Sequence, residues 1–343
     1  MNILYLFHYK KHNHYDHHLH ADFAVYMNRI PGIKVMGYGL DLEQGYPDFC
    51  PMKYNFNTTL EDIHKMFPFD AIVVNTKGRC FEYYNPHTDV IRGAWLPKDF
   101  AGWNHCPKLI LEEDYHYEVD DIWYKEMGFD LILQRHYSQS LRQNLVPMMF
   151  FPFSVDTSLF NTTSISAKHR NMEITLPSNA ERLNRIAFVG NDGDKAYIYR
   201  FKAIRRLVEM GIADNYSLAE PNAIRRLDGE YVRLLRSYIA HISCGSTFEI
   251  CAAKNLEIMA TGSILFTNKF LGIDKLFPEN CYVSYENDWS DLEVKADKIL
   301  TDSAFVVETR RNALKCINER HTHEIRIKQL LNIIGDLKCG KSI

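Results

Sequence analysis

With 343 residues, 46% of them hydrophobic and 24% charged, the chain is long enough for two cored domains and too apolar for extended disorder. A net charge of −3 excludes a general electrostatic pull toward nucleic acid or anionic membrane. The eight cysteines (Cys50, Cys80, Cys106, Cys244, Cys251, Cys281, Cys316 and Cys339) include no CxxC pair, which predicts free thiols in a reducing compartment.

The first element, "NILYLF" (residues 2–7), reads as a buried strand. Its apolar run is too short for a signal peptide or a membrane span, so a cytoplasmic protein is expected. A helix around 19–30 and a strand at "IKVMGYG" follow. "DAIVVN" (70–75), "KLILEED" (108–114) and "DLILQR" (130–135) are further apolar runs ending in polar residues, and "MMFFPFSVDTSLF" (148–160) closes the series. Such runs, spaced by helix-length segments, predict parallel strands covered on both faces. Residues 161–184 are polar and aperiodic, an expected interdomain connection.

A second series begins with "RIAFVGN", a strand running into a turn, and a helix closed by Gly211. "YIAHIS" is a strand, "FEICAAKNLEIMA" a helix stopped at Thr261-Gly262, and "SILFT" a strand. From residue 291 onward the tail reads as helical throughout. The expected architecture is α/β: two Rossmann-like, doubly wound domains over 1–165 and 183–335, facing a cleft, with ligands beyond the C-terminal strand ends.

"STFEICAAKNLEIMATG" (246–262) sets Glu249 and Glu257 eight apart, with Lys254 between them. With Ser246 as N-cap, Glu249 falls at the third helical position and "STFE" reads as a capping box. Glu257 lies near the helix C-terminus, where the dipole disfavours an acid, so capping does not account for it. Two readings of these charges stay open: a solvated Lys254–Glu257 surface pair, or groups facing a polar ligand. Upstream, "FVGNDGDKAYIYR" is a strand–glycine turn–helix that offers backbone N–H groups to a diphosphate at Gly190, Asn191, Asp192 and Gly193. Arg200 follows on the helix, a side chain suited to phosphate oxygens.

Glu-x7-Glu with a lysine before the second Glu resembles the donor-binding segment of GT-B glycosyltransferases of the group 1 type. "FPFSVDTSLF" resembles the "P-x-G-V-D-x-x-x-F" that closes the N-terminal domain of that superfamily, with Ser154 in place of the glycine. "RRNALKCINERHTHEIRIKQLL", with His321, Thr322 and Arg326, resembles the "HT-x-x-x-R" ending of the spore-maturation (CgeB-like) members. The resemblance implies an enzyme, a hexosyl- or pentosyltransferase that moves a sugar from a nucleotide diphospho-sugar to a hydroxylated acceptor with retention of configuration. On this match Glu257 holds the ribose, Glu249 faces the sugar, and Lys254 contacts phosphate. The 1–165 domain then becomes the acceptor side and the 183–335 domain the nucleotide-sugar side.

Asp114 and His116, in "LEEDYHYEVDD" after a strand, are the candidate base or orienter for the acceptor hydroxyl, against the alternative of a solvated acidic loop. His8, His12, His14, His17, His18 and His20 crowd the segment after the first strand, where neutral imidazoles suit a hydroxylated acceptor. Their spacing matches no zinc signature, and GT-B enzymes generally manage without metal. No cofactor or metal is therefore expected, either there or at Asp120-Asp121. Two other classes stay open. One is a DNA-base-modifying glycosyltransferase, which needs a basic groove that the net charge does not favour. The other is a non-catalytic nucleotide- or sugar-binding protein.

Overall fold

The computed structural model describes residues 1–7, 23–39, 42, 48–75, 96–112, 121–160, 167–169, 172–174, 182–190, 197–217 and 228–341. The chain divides into two compact units: Met1–Pro152 together with Ile327–Ile343, and Phe153–Arg326.

In the first unit, β1 (Asn2–Phe7), β2 (Lys34–Tyr38), β3 (Ala71–Asn75), β4 (Lys108–Glu112), β5 (Leu131–Gln134) and β6 (Met148–Phe150) build one sheet. It is a six-stranded sheet in the order β2-β1-β3-β4-β5-β6, and every pairing is parallel. Alternation sends Ile3, Tyr5, Val73, Leu109 and Leu133 into one core and Leu4, Leu6, Ile72, Ile110 and Ile132 into another. Both faces are thus buried, which is why the strands read as unbroken apolar runs.

The first of these cores also takes Ile327, Leu330 and Ile334 from the last helix, His323–Lys338. An ion pair between Lys338 Nζ and Asp70 Oδ1 at 2.7 Å ties that helix to the start of β3. The structure differs here from the expected boundaries of 1–165 and 183–335. It gives Ile327–Ile343 to the first unit and the segment from Phe153 to the second. The helix has one apolar stripe, and helical spacing alone does not say which sheet that stripe covers.

In the second unit, β7 (Ala167–His169) and β8 (Met172–Ile174) form a two-stranded antiparallel ribbon within the stretch expected to be a plain connection. Three-residue strands are too short to show periodicity. The main sheet comprises β9 (Leu183–Gly190), β10 (Ala213–Ser217), β11 (Tyr238–Ile242), β12 (Ile264–Asn268) and β13 (Val283–Tyr285). It is parallel, in the order β10-β9-β11-β12-β13. Gly211 (φ 74°) and Gly262 (φ 75°) take the left-handed conformation just past helices Ile198–Glu209 and Ala253–Ala260, as their positions predict. The tail is three helices, not one run. It breaks at Asp302, whose Oδ1 accepts from Phe305 N at 3.0 Å, and again at His321-Thr322.

The two motifs flanking this unit meet. Val155 and Thr322 form an isolated parallel bridge, with Val155 N donating to His321 O at 2.9 Å and His323 N donating to Val155 O at 3.1 Å. Ser154 is not among the left-handed residues, so no glycine is required there, and its Oγ lies 2.8 Å from His323 Nδ1. His321 Nε2 donates to Leu276 O at 3.0 Å, and its Nδ1 accepts from Arg326 Nη2 at 3.4 Å. The described cysteines are free thiols. No described helix is long and apolar enough to cross a membrane.

Burial, with the Arg326 guanidinium beside it, pulls the His321 pKa down to about 4. Burial alone is the main cause that brings His241, on β11, down to about 3. In the unfolded chain both titrate near ~6.5, so acidification protonates the unfolded state first. The stability these neutral imidazoles contribute is whole above pH ~6.5 and falls below it, by about 1.4 kcal/mol per pH unit for each histidine. Urea midpoints measured from pH 7.5 to 5, above the range where most carboxylates titrate, should hold to about pH 6.5 and drop below it. A flat profile would show that these histidines protonate freely in the fold.

Candidate functional site

Strand β9 runs apolar through Phe188 and Val189 and ends at Gly190, whose φ of 139° is open to glycine and strained for other residues. A Cβ built on Gly190 would lie 2.1 Å from Lys254 Nζ. The missing side chain is what lets the lysine reach the strand end, where its Nζ donates to Val189 O. Lys254 sits in the first turn of the helix Ala253–Ala260 and places its ammonium 5.3 Å from the centroid of Phe188. Arg200, in the first turn of the helix Ile198–Glu209, approaches the same ring at 5.2 Å and lies over Tyr197 at 3.7 Å. Two cations therefore share one aromatic at the C-terminal end of β9. Arg200 is buried, with 5% of its surface exposed.

Glu257 lies in the last turn of the Ala253–Ala260 helix and is only 4% exposed. Its Oε2 accepts from the Tyr231 hydroxyl at 2.5 Å, and Tyr231 comes from the preceding helix, Asp228–Ser237. The Lys254 ammonium is 5.9 Å from the Tyr231 ring centroid. A solvated Lys254–Glu257 surface pair is thus excluded by burial. The carboxylate is held inside the fold by a phenol, close to the cation.

The loop from β11 into this helix is built by short polar contacts. Ser243 Oγ donates to Asn255 Oδ1 at 2.5 Å, and Gly245 N donates to Asn268 Oδ1 at 2.9 Å. A Cβ on Gly245 would meet Phe270 Cβ at 2.3 Å. The helix starts at Ala253 with Ala252 as its N-cap, so the expected capping box of Ser246 with Glu249 does not form. Ser246 Oγ instead accepts from Phe248 N at 3.1 Å within a turn. Ser246 (φ 55°) and Glu249 (φ 53°) both adopt left-handed backbone, and Glu249 is exposed. A non-glycine residue held there costs on the order of 1–3 kcal/mol, a strain that gathers where a loop serves a ligand.

The structure therefore gathers Gly190, Arg200, Lys254 and Glu257 around the end of β9, and holds Glu249 on the adjoining loop. Asn191, Asp192, Gly193, Asp114, His116, Asp120 and the six N-terminal histidines lie outside the described residues. Sequence reasoning missed Tyr231 and Phe188. Nothing in "GEYVRLLR" marks Tyr231, because its role depends on a partner 26 positions away. Among the described residues, no group of three or more His, Cys, Asp or Glu is placed to hold a metal ion.

Residues 205–332 match the family model described as "Glycosyl transferase-like". A search of curated protein sequences finds no match. Among solved structures, a glycosyltransferase from Rickettsia africae ESF-5 superposes with a TM-score of 0.63 at 12% identity, covering 98% of each chain. Sucrose-phosphate synthase from Thermosynechococcus elongatus gives 0.60 at 13% identity over 99% of this chain and 100% of its own. HepE from Anabaena, in complex with UDP and glucose, gives 0.60 at 10% identity over 98% of this chain and 100% of its own. At such identities the likeness is one of fold, and it extends over nearly the whole chain. The chain thus has the GT-B architecture, with a glycosyl transferase-like segment at 205–332 that carries Glu249, Lys254 and Glu257.

Proposed function

We propose that the protein is a glycosyltransferase that moves a hexosyl or pentosyl group from a nucleotide diphospho-sugar to a hydroxylated acceptor, with retention of configuration. One observation carries this reading: Lys254, Arg200 and the buried carboxylate of Glu257 stand together at the C-terminal end of β9, where doubly wound sheets bind nucleotides. Glu257 accepts hydrogen bonds from the ribose hydroxyls, since one carboxylate can receive both. Lys254 and Arg200 neutralise the diphosphate. When the bond between the anomeric carbon and the donor phosphate oxygen breaks, the charge gathers on that leaving group, and preorganised cations stabilise it. Glu249, presented by the strained loop, faces the sugar. The proposed acceptor groups remain Asp114 and His116.

A panel of nucleotide sugars in thermal-shift assays, followed by calorimetry, tests the reading, because a specific donor raises the melting temperature by linkage. Glu257→Ala should weaken the donor that binds by about 1.5–3 kcal/mol, the cost of removing a charged hydrogen-bond partner, at a temperature where circular dichroism shows the variant folded. Unchanged affinity would remove Glu257 from the site.

Gly190→Ala should also lower donor affinity, because the new methyl displaces the Lys254 ammonium from the strand end. Here the loss should be the same for the nucleoside diphosphate as for the full donor, since the sugar is not involved. A loss confined to the full donor would place Lys254 against the sugar instead.

Turnover should survive EDTA, since cations of the chain itself can serve the diphosphate. Activity abolished by chelator and restored by manganese or zinc would require a metal site in the chain. Release of free sugar from the donor without acceptor distinguishes an enzyme from a binding protein.

A further inference from the structure

A buried glutamate does not by itself aim its carboxylate. The terminal torsion of the side chain is broad and roughly two-fold, so the plane of the two oxygens is set by whatever bonds to them. At Glu257 one such bond comes from Tyr231, whose hydroxyl donates to Oε2 at 2.5 Å. The phenol is itself placed by neighbours on two elements. Its ring stands edge-on to Phe160, with centroids 6.5 Å apart and an interplanar angle of 87°, and it takes the Lys254 ammonium at 5.9 Å. A carboxylate offers about four lone-pair positions, and one donor of fixed direction settles where the others point.

We propose that Tyr231 is a positioning residue of the nucleotide site. By fixing the carboxylate plane of Glu257, it makes the site selective for a ribonucleoside diphosphate over its deoxy counterparts. This inference rests on the reading of Glu257 as the ribose residue. Without the phenol hydroxyl the carboxylate loses a donor that holds its plane, and the hydrogen bonds it makes to vicinal hydroxyls no longer form together. The phosphate contacts, which belong to Lys254 and Arg200, are left as they were. The role is specific to the sugar hydroxyls, so a cycle between protein variant and ligand variant isolates it from any general effect on the fold.

The test is calorimetric binding of UDP, GDP, ADP and CDP, each beside its 2′,3′-dideoxy counterpart, to the wild-type chain, Tyr231→Phe and Glu257→Ala. Tyr231→Phe keeps the ring against Phe160, and its melting temperature is recorded alongside. The wild type should prefer one ribonucleotide over its dideoxy form by about tenfold or more. In Tyr231→Phe that ratio should collapse toward one while dideoxy binding is unchanged, and Glu257→Ala should show the same collapse. A Tyr231→Phe variant that keeps the ratio, or loses both ligands equally, would make the hydrogen bond a structural link between two helices and overturn the inference. If Glu257→Ala keeps the ratio, or if the wild type binds none of the four nucleotides, it is the underlying reading of the site that fails.

Discussion

A charge taken out of water must be met by partners, and the upper end of the second unit's sheet is arranged around such charges, those of Glu257 and Lys254 among them. The Glu257 carboxylate needs a donor, which it finds in a phenol from another helix. The Lys254 ammonium needs acceptors, and it finds the Val189 carbonyl near the end of β9 and the faces of two aromatic rings. Each contact ties one secondary-structure element to another. Strand β9, the Asp228–Ser237 helix and the Ala253–Ala260 helix are brought to one point by polar bonds as well as by apolar packing. The glycine that ends β9 is a consequence of the same constraint, because a side chain there would fill the space the lysine occupies.

The motif pairing at the unit's margin is of a different kind. His321, Thr322 and Arg326 were singled out by resemblance, and residues in such a signature are easily taken for chemistry. In the structure they work through the backbone and through a neutral imidazole: Thr322 bridges Val155, and His321 bonds Leu276 and Arg326. Ser154, the one departure from the family pattern in its segment, supplies a hydroxyl to His323. Its neighbour Val155 is joined to the far end of the unit, so the two motifs form the two halves of one closure.

Much of the fold was legible in the sequence because its strands are buried on both faces. "AIVVN", "KLILE" and "LILQ" have almost nowhere else to go than the middle of a parallel sheet. Glu257 and Lys254 were legible because charges within an apolar helix demand an explanation. Ser246 was misread because a serine three residues before a glutamate carries the same signature whether a helix starts there or a left-handed turn does. Only backbone angles, fixed in part by Gly245 packing on Phe270, separate the two. Tyr231 was illegible for another reason. Its significance is a pairwise relation across the fold, and a tyrosine on an amphipathic helix has no local feature that announces it.

The return of the last helix to the first unit has a consequence for the order in which the chain can fold. Residues 153–326 are contiguous and hold their own sheet, so they can complete a core as soon as they leave the ribosome. The six-stranded sheet, made earlier, cannot. One of its faces waits for Ile327, Leu330 and Ile334, which are synthesised after the entire second unit. The equilibrium cost of closing so long a loop grows only logarithmically with its length. The kinetic cost is larger: a nascent sheet with an apolar face uncovered is a surface for chaperones or for aggregation. A chain cut just before Ile327 would leave the contiguous unit whole and strand the amino-terminal one, although every residue of that unit's sheet would still be present.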